Sequence, residues 1–253
     1  MIFPSTIQNM IATIVHHLKT FCKGNMTMKE KKITFSSIIL GLLIVSILII
    51  GGIALQDVMM TPTERLKTAV QALDAGEYKK AERAFLIVEK NGNKEERLSA
   101  AYYLAQMYLK GAKGFAVNAQ KAAIFYEKAA SAGLAEAQYQ LALLYDTGDK
   151  IPENRSKALF WMNEAAKQGL PDALYGLGVW IERGYMGNDI PMDKVVALYE
   201  AAAVQGQKNA MTSLVSIYAA GHGQFPHNIE KATYWKARLD ELNQQKNDKT
   251  DGQ

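Results

Sequence analysis

The chain has 253 residues, 49% of them hydrophobic, a net charge of +4 and a single cysteine, Cys22. That supplies apolar material for a sizeable core. It argues against a nucleic-acid interface, because acids and bases are interspersed after residue 60, and it excludes an internal disulfide or a cysteine-based zinc site.

Residues 1–32 form a basic lead, expected on the cytoplasmic side. Met28-Lys29-Glu30-Lys31-Lys32 is an ordinary short start before an apolar run, so Met26 or Met28 is read as the true beginning. The stretch 7–18, IQNMIATIVHHL, has an alternative reading as an amphipathic helix on a membrane surface. His16, His17 and Cys22 lie together in sequence, but local clustering is poor evidence for a metal site.

Residues 33–55, ITFSSIILGLLIVSILIIGGIAL, carry no charge, and 15 of the 23 are Ile, Leu, Val or Phe. As a helix the segment is about 35 Å long, enough to cross a hydrocarbon core of about 30 Å. A buried core helix of that length would ordinarily show a polar face. Lys19, Lys23, Lys29, Lys31 and Lys32 precede it against one acid, Glu30, so the positive-inside rule places the remainder of the chain on the non-cytoplasmic side. Gly52 and Ala54 offer small residues for a signal peptidase. The apolar run nevertheless exceeds the usual signal-peptide core of about 7–15 residues, which favours an uncleaved anchor. The expected location is a bacterial inner membrane, with the bulk of the chain in the periplasm.

From residue 98 onward the chain repeats. AASAG ends at Gly133, AAKQG at Gly169 and AAVQG at Gly206, at intervals of 36 and 37 residues. Four residues before each alanine pair stand Phe125, Trp161 and Leu198, with Trp235 at the same place in a fourth copy. A second pattern runs Ala100, Leu104, Tyr108, Gly111, then Ala137, Leu141, Tyr145, Gly148. It continues as Ala173, Leu177, Ile181, Gly184 and Ala210, Leu214, Tyr218, Gly221. Spacings of four, four and three keep these side chains on one helical face, with glycine able to end the helix in a left-handed conformation. Pro152, Pro191 and Pro226 fall in the loops. Each unit is therefore helix, loop, helix, and stacking of units must supply the surface that no single unit can bury.

These residues resemble the Sel-one-like repeat family, relatives of the tetratricopeptide repeats, whose second helix carries a Lys-Ala pair, an aromatic and an Ala pair. Lys121-Ala122, Lys157-Ala158 and Lys231-Ala232 match. The third unit departs with Val195 and Ile181, and the fourth with Leu239-Asp240, which suits a terminal capping helix. The resemblance covers about residues 98–242. Residues 62–97, containing LDAGEYKKAERAFLIVEKNG, look like a degenerate tetratricopeptide-like repeat, and 243–253 read as a polar, disordered tail. The resemblance implies an all-α, right-handed α-solenoid of two-helix repeats, which the reading of residues 33–55 places after one transmembrane helix.

Motifs for serine, metal-dependent or nucleotide chemistry are missing from the sequence. His222 and His227 share a loop without an evident third ligand. Asp146, Asp149, Glu153 and Asp189 are scattered over repeat loops and read as surface charge. Trp180 falls outside the repeated aromatic column and is expected to be partly exposed. No catalytic, cofactor or metal site is assigned.

A curved helical stack binds extended peptides or helices of partner proteins. The family resemblance places the first helix of each unit on the groove, and alignment on Leu104, Leu141, Leu177 and Leu214 then selects its lining. Two positions earlier stand Tyr102, Tyr139, Tyr175 and Thr212; two later stand Gln106, Leu143, Val179 and Ser216. The tyrosines are either binding anchors or packing between helices. The leading functional reading is an anchored scaffold for a partner protein. Competing readings are a cleaved, secreted repeat protein and an accessory or hydrolase acting on cell-envelope material.

Overall fold

The computed structural model describes residues 60–250, except 113, 188 and 224 and the side chains of 246–250. The candidate membrane segment 33–55 and the cluster His16, His17 and Cys22 lie outside that range. Among the described residues no helix is long and apolar enough to cross a membrane.

Ten helices run through the described residues: α1 (Pro62–Asp74), α2 (Tyr78–Asn91), α3 (Lys94–Lys110), α4 (Ala119–Ser131), α5 (Ala135–Thr147), α6 (Arg155–Lys167), α7 (Pro171–Glu182), α8 (Met192–Ala203), α9 (Lys208–Ala220) and α10 (Ile229–Thr250). The only β pairing among them is two isolated bridges, Ala112 with Phe115 and His222 with Phe225, in equivalent loops. Each helix packs principally on the next one in sequence. The result is a helical-repeat solenoid, stabilised by contacts between neighbours.

The alanines mark the closest approaches. Ala100, Ala137, Ala173 and Ala210 in the first helices are fully buried, as are Ala129, Ala165 and Ala202 in the second helices. A methyl group there lets backbones come near enough for larger neighbours to fill the adjoining gaps. Gly111, Gly148, Gly184 and Gly221 end the first helices at φ between 62° and 75°, the region that only glycine enters without strain.

The core is continuous along the stack. Phe125 packs against both the cluster of α1–α4 and the one centred on α3–α5. Trp161 joins the latter to the cluster running from α5 to α10. These column residues are bridges, only partly buried. The deepest column is one position later, where Tyr126, Met162 and Tyr199 are fully buried, with Phe85 equally deep in α2.

Two expectations are corrected. Trp180 is buried, 5% exposed, and stacks on Tyr185 with centroids 5.5 Å apart. It belongs to a further core column with Met107, Leu144 and Ile217, one position before the Tyr108 series. The polar tail does not begin at 243, because α10 continues to Thr250. A helix already nucleated adds residues cheaply, and Gln, Lys and Asn there need no buried partner to continue it.

The tight contacts give a direct test. Ala165→Leu is expected to destabilise the stack by about 1–3 kcal/mol through overpacking, against about 0.5 kcal/mol or less for His222→Ala in an exposed loop. Gly178→Ala should behave like the former, since a Cβ there would lie 2.5 Å from the Tyr199 ring. Thermal melts of the three variants check this; an unshifted Ala165→Leu would mean that the helices do not meet there.

Candidate partner-binding site

The first-helix face is built from α3, α5, α7 and α9. Their buried Leu104, Leu141, Leu177 and Leu214 fix the rotation of each helix. Tyr102 and Gln106, Tyr139 and Leu143, Tyr175 and Val179 are then all half-buried, whereas Thr212 and Ser216 at the end of the series are exposed. The Tyr102 ring lies edge-on to the buried Tyr126, centroids 6.0 Å apart, and Tyr175 meets the buried Tyr199 at 5.4 Å. Tyr139 runs past Gly176, where its ring edge is 3.7 Å from the point at which a side chain would begin. Each ring thus leans on the core with one side and keeps part of its surface in solvent.

Burial pushes the hydroxyls of Tyr102 and Tyr139 above the ordinary tyrosine pKa, and the nearby carboxylates of Glu136 and Asp172 respectively add to the shift. Both rings therefore remain neutral hydrogen-bonding groups, edged by negative charge from the following repeat. Asp172 also accepts a 2.9 Å hydrogen bond from the Gln207 side chain.

A second constellation recurs at the loop edge, and sequence reasoning missed half of it. The backbone N–H groups of Asn118, Asn154 and Asn228 donate to the carbonyls of Tyr108, Tyr145 and Tyr218 at 2.8, 2.9 and 2.7 Å. The same asparagine side chains accept from the backbone N–H of Lys121, Lys157 and Lys231, capping α4, α6 and α10. Each lysine ammonium then lies 4.9 Å above the matching tyrosine ring. The signal was present as Asn-x-x-Lys nine or ten residues after each Tyr. The third unit has Pro191 and Ile181 there and lacks the arrangement.

Carboxylates tie this edge to the preceding repeat. Tyr108 donates to Glu82, Tyr218 to Glu200 at 2.7 Å, and Lys231 reaches Glu200 at 3.2 Å. Tyr199 donates to Glu182 at 2.6 Å, a link between α8 and α7. Clefts of about 590 and 320 Å³ open beside Tyr108, Phe115 and Lys121, and beside Tyr218, Phe225 and Lys231, at equivalent places three repeats apart. Glu82 in the first and Glu200 in the second are engaged in these links, whereas Asp193 in the second is exposed.

Elsewhere, His222 and His227 are both exposed, and no group of three His, Cys, Asp or Glu residues placed to hold a metal occurs among the described residues. Asp149, Glu153 and Asp189 are exposed and Asp146 half-buried. Glu153 makes a 3.6 Å pair with Arg155.

Fold and surface together define a helical-repeat scaffold, a class suited to protein–protein interaction. Residues 98–134, 135–170, 171–206 and 210–235 match the Sel1 repeat. These segments make up more than half of the chain, which belongs to the Sel1 repeat family. Among solved structures the chain is similar to a Sel1 repeat protein from Oxalobacter formigenes, at 22% identity and a TM-score of 0.62, over 72% of this chain and 74% of that one. It is also similar to a protective antigen of uropathogenic Escherichia coli strains with the same fold, at 23% identity and a TM-score of 0.60, over 72% of this chain but only 38% of that one. At these identities the likeness concerns the fold. No curated protein matches the sequence.

Buried tyrosines make the stack sensitive to alkali. Tyr108 is pushed up to about 12, by burial first and then by its bond to Glu82. Tyr126 and Tyr199 are raised further, chiefly by burial. Unfolded tyrosine ionises near pH 10, so these groups contribute stability that is fully present below that value and lost as pH rises towards the folded pKa. Denaturant melts should therefore show stability flat from pH 7 to 9 and falling above pH 10. Tyr126→Phe, which keeps the ring, should make that fall shallower; an unchanged slope would contradict the assignment.

Proposed function

We propose that this chain is a membrane-anchored Sel1-repeat scaffold that presents its first-helix face to a partner protein on the non-cytoplasmic side. The uncharged segment 33–55 is the anchor, and the lysines ahead of it set the orientation. Tyr102, Tyr139 and Tyr175 are the anchoring side chains, with Gln106, Leu143 and Val179 completing the face. The observation that carries this reading is that three aromatic rings in one register are each held by the core and each remain partly exposed. Rigid rings of that kind bind at low entropic cost and are enriched where binding energy concentrates. Glu136 and Asp172 along the row favour a partner segment that brings donors or basic groups to an apolar strip.

The test separates anchoring from packing. Tyr139→Ala should weaken capture of the crosslinked partner from the native host by about 2 kcal/mol or more, roughly thirtyfold, with little change in melting temperature. A variant that melts early, by the roughly 3–5 kcal/mol typical of a lost core aromatic, assigns the ring to the core instead. A variant that melts normally and binds normally removes it from the interface.

Topology is tested independently. A C-terminal reporter active only in the cytoplasm should be silent when fused to the full chain, and the mature protein should retain residues 33–55 by intact mass. Cytoplasmic reporter activity would invert the orientation. A mature chain beginning near residue 55 would make the protein a released one.

A further inference from the structure

The second helices carry a surface unlike the first. Their third positions form an unbroken row of exposed lysines, Lys80, Lys121, Lys157, Lys194 and Lys231, in α2, α4, α6, α8 and α10. Three residues on, one turn along the same face, stand Arg83, Ile124, Phe160, Ala197 and Tyr234, all exposed. Ile124, Phe160 and Tyr234 are large apolar side chains at 55%, 54% and 55% exposure. Phe160 and Tyr234 lie edge-on to Trp161 and Trp235, with centroids 4.8 and 5.0 Å apart, so the core supports them from below. The row is therefore built outward, without being needed to fill the core.

We propose that this row docks on an anionic phospholipid surface, laying the repeat stack along the bilayer from which it is tethered. The proposal rests on the reading of 33–55 as a membrane segment. Two observations choose lipid over a protein. Aromatic and aliphatic side chains beside a line of lysines are the composition that lets a helical surface enter the headgroup region of an anionic leaflet. The lysine side chains stay largely exposed, at 60% for Lys80 paired with Glu77 and 51% for Lys231 paired with Glu200, although the Lys121, Lys157 and Lys231 ammoniums also lie over tyrosine rings. The second observation is length. Only residues 56–61 separate the apolar segment from Pro62, a chain of at most about 20 Å, which would hold the repeats against the membrane at high effective concentration. The tyrosine row on the first helices would remain available to a partner.

The three tryptophans of the chain are Trp161, Trp180 and Trp235, and none lies in 33–55. Their emission therefore reports on the repeats alone. The full chain is reconstituted into vesicles of phosphatidylglycerol and phosphatidylcholine whose acyl chains are either plain or brominated near the headgroup. Brominated lipid should lower tryptophan emission by about one third or more, as side chains and bromines share the interfacial depth. The double variant Ile124→Ser, Phe160→Ser, whose melting temperature should be unchanged because both side chains are exposed, should recover most of that loss. Equal emission in plain and brominated vesicles overturns the proposal, as does quenching that the double variant leaves intact. If the variant instead abolishes self-association in light scattering, or capture of a protein, with quenching unaltered, the row belongs to a second copy or to a protein partner and the proposal fails. Resistance to alkaline carbonate extraction is measured in parallel. Extraction with quenching preserved defeats the tether and leaves the docking surface, whereas resistance without quenching defeats the surface and leaves the tether.

Discussion

The surfaces of the repeat stack depend on the close approach of helices at alanine. Ala100, Ala137, Ala173 and Ala210 lie fully buried in the first helices, and Ala129, Ala165 and Ala202 in the second. A side chain of one carbon fixes how near two backbones come, and the larger neighbours Tyr126, Met162 and Tyr199 then have defined spaces to fill. Because the same contact recurs every 36 or 37 residues, side chains at equivalent positions recur from one unit to the next. The tyrosine row and the lysine row are both consequences of that spacing.

Polar links hold the repeats in register at the helix ends, where packing alone is least directional. The Gln138 side chain donates to the Ala130 carbonyl at 3.0 Å and accepts from Gln168 at 2.8 Å, while Gln205 donates to the Gly169 carbonyl at 3.0 Å. The Ala130 carbonyl also takes the Gly133 N–H at 3.0 Å, so Gln138 adds a second bond there, while Gln205 reaches a carbonyl just past the end of α6. The third unit shows how a departure is absorbed. With Ile181 in place of tyrosine it has no hydroxyl to tie back, and the missing Cβ of Gly178 lets Tyr199 press close and donate to Glu182. Arg155 then stacks over Tyr185, 4.6 Å from its ring, and covers the longer loop.

The two rows divide the exterior by chemistry. The first-helix face offers half-buried rings beside Glu136 and Asp172; the second-helix face offers lysines beside apolar side chains. A solenoid can keep two such surfaces apart because a helix has distinct sides and each repeat contributes one helix to each surface.

The repeat, the helix pairs, the alanine contacts and the glycine helix ends were all legible in the sequence. Each is specified within one 36- or 37-residue unit and then confirmed by recurrence. The candidate tyrosines were legible as equivalent positions of the repeat, and Tyr102, Tyr139 and Tyr175 are each half-buried. What only the tertiary structure decided was which of two adjacent columns is core: in the first three matched units Tyr126, Met162 and Tyr199 are buried while Phe125, Trp161 and Leu198 keep part of their surface exposed, whereas in the fourth Trp235 is itself buried and Lys236 after it is exposed. Trp180 went inside for the same reason, joining Met107, Leu144 and Ile217. Successive residues on a helix point about 100° apart, and a helix packed on both the preceding and the following helix buries a wide arc. The boundary of that arc is set by neighbours from other repeats, which no pattern within a single unit contains.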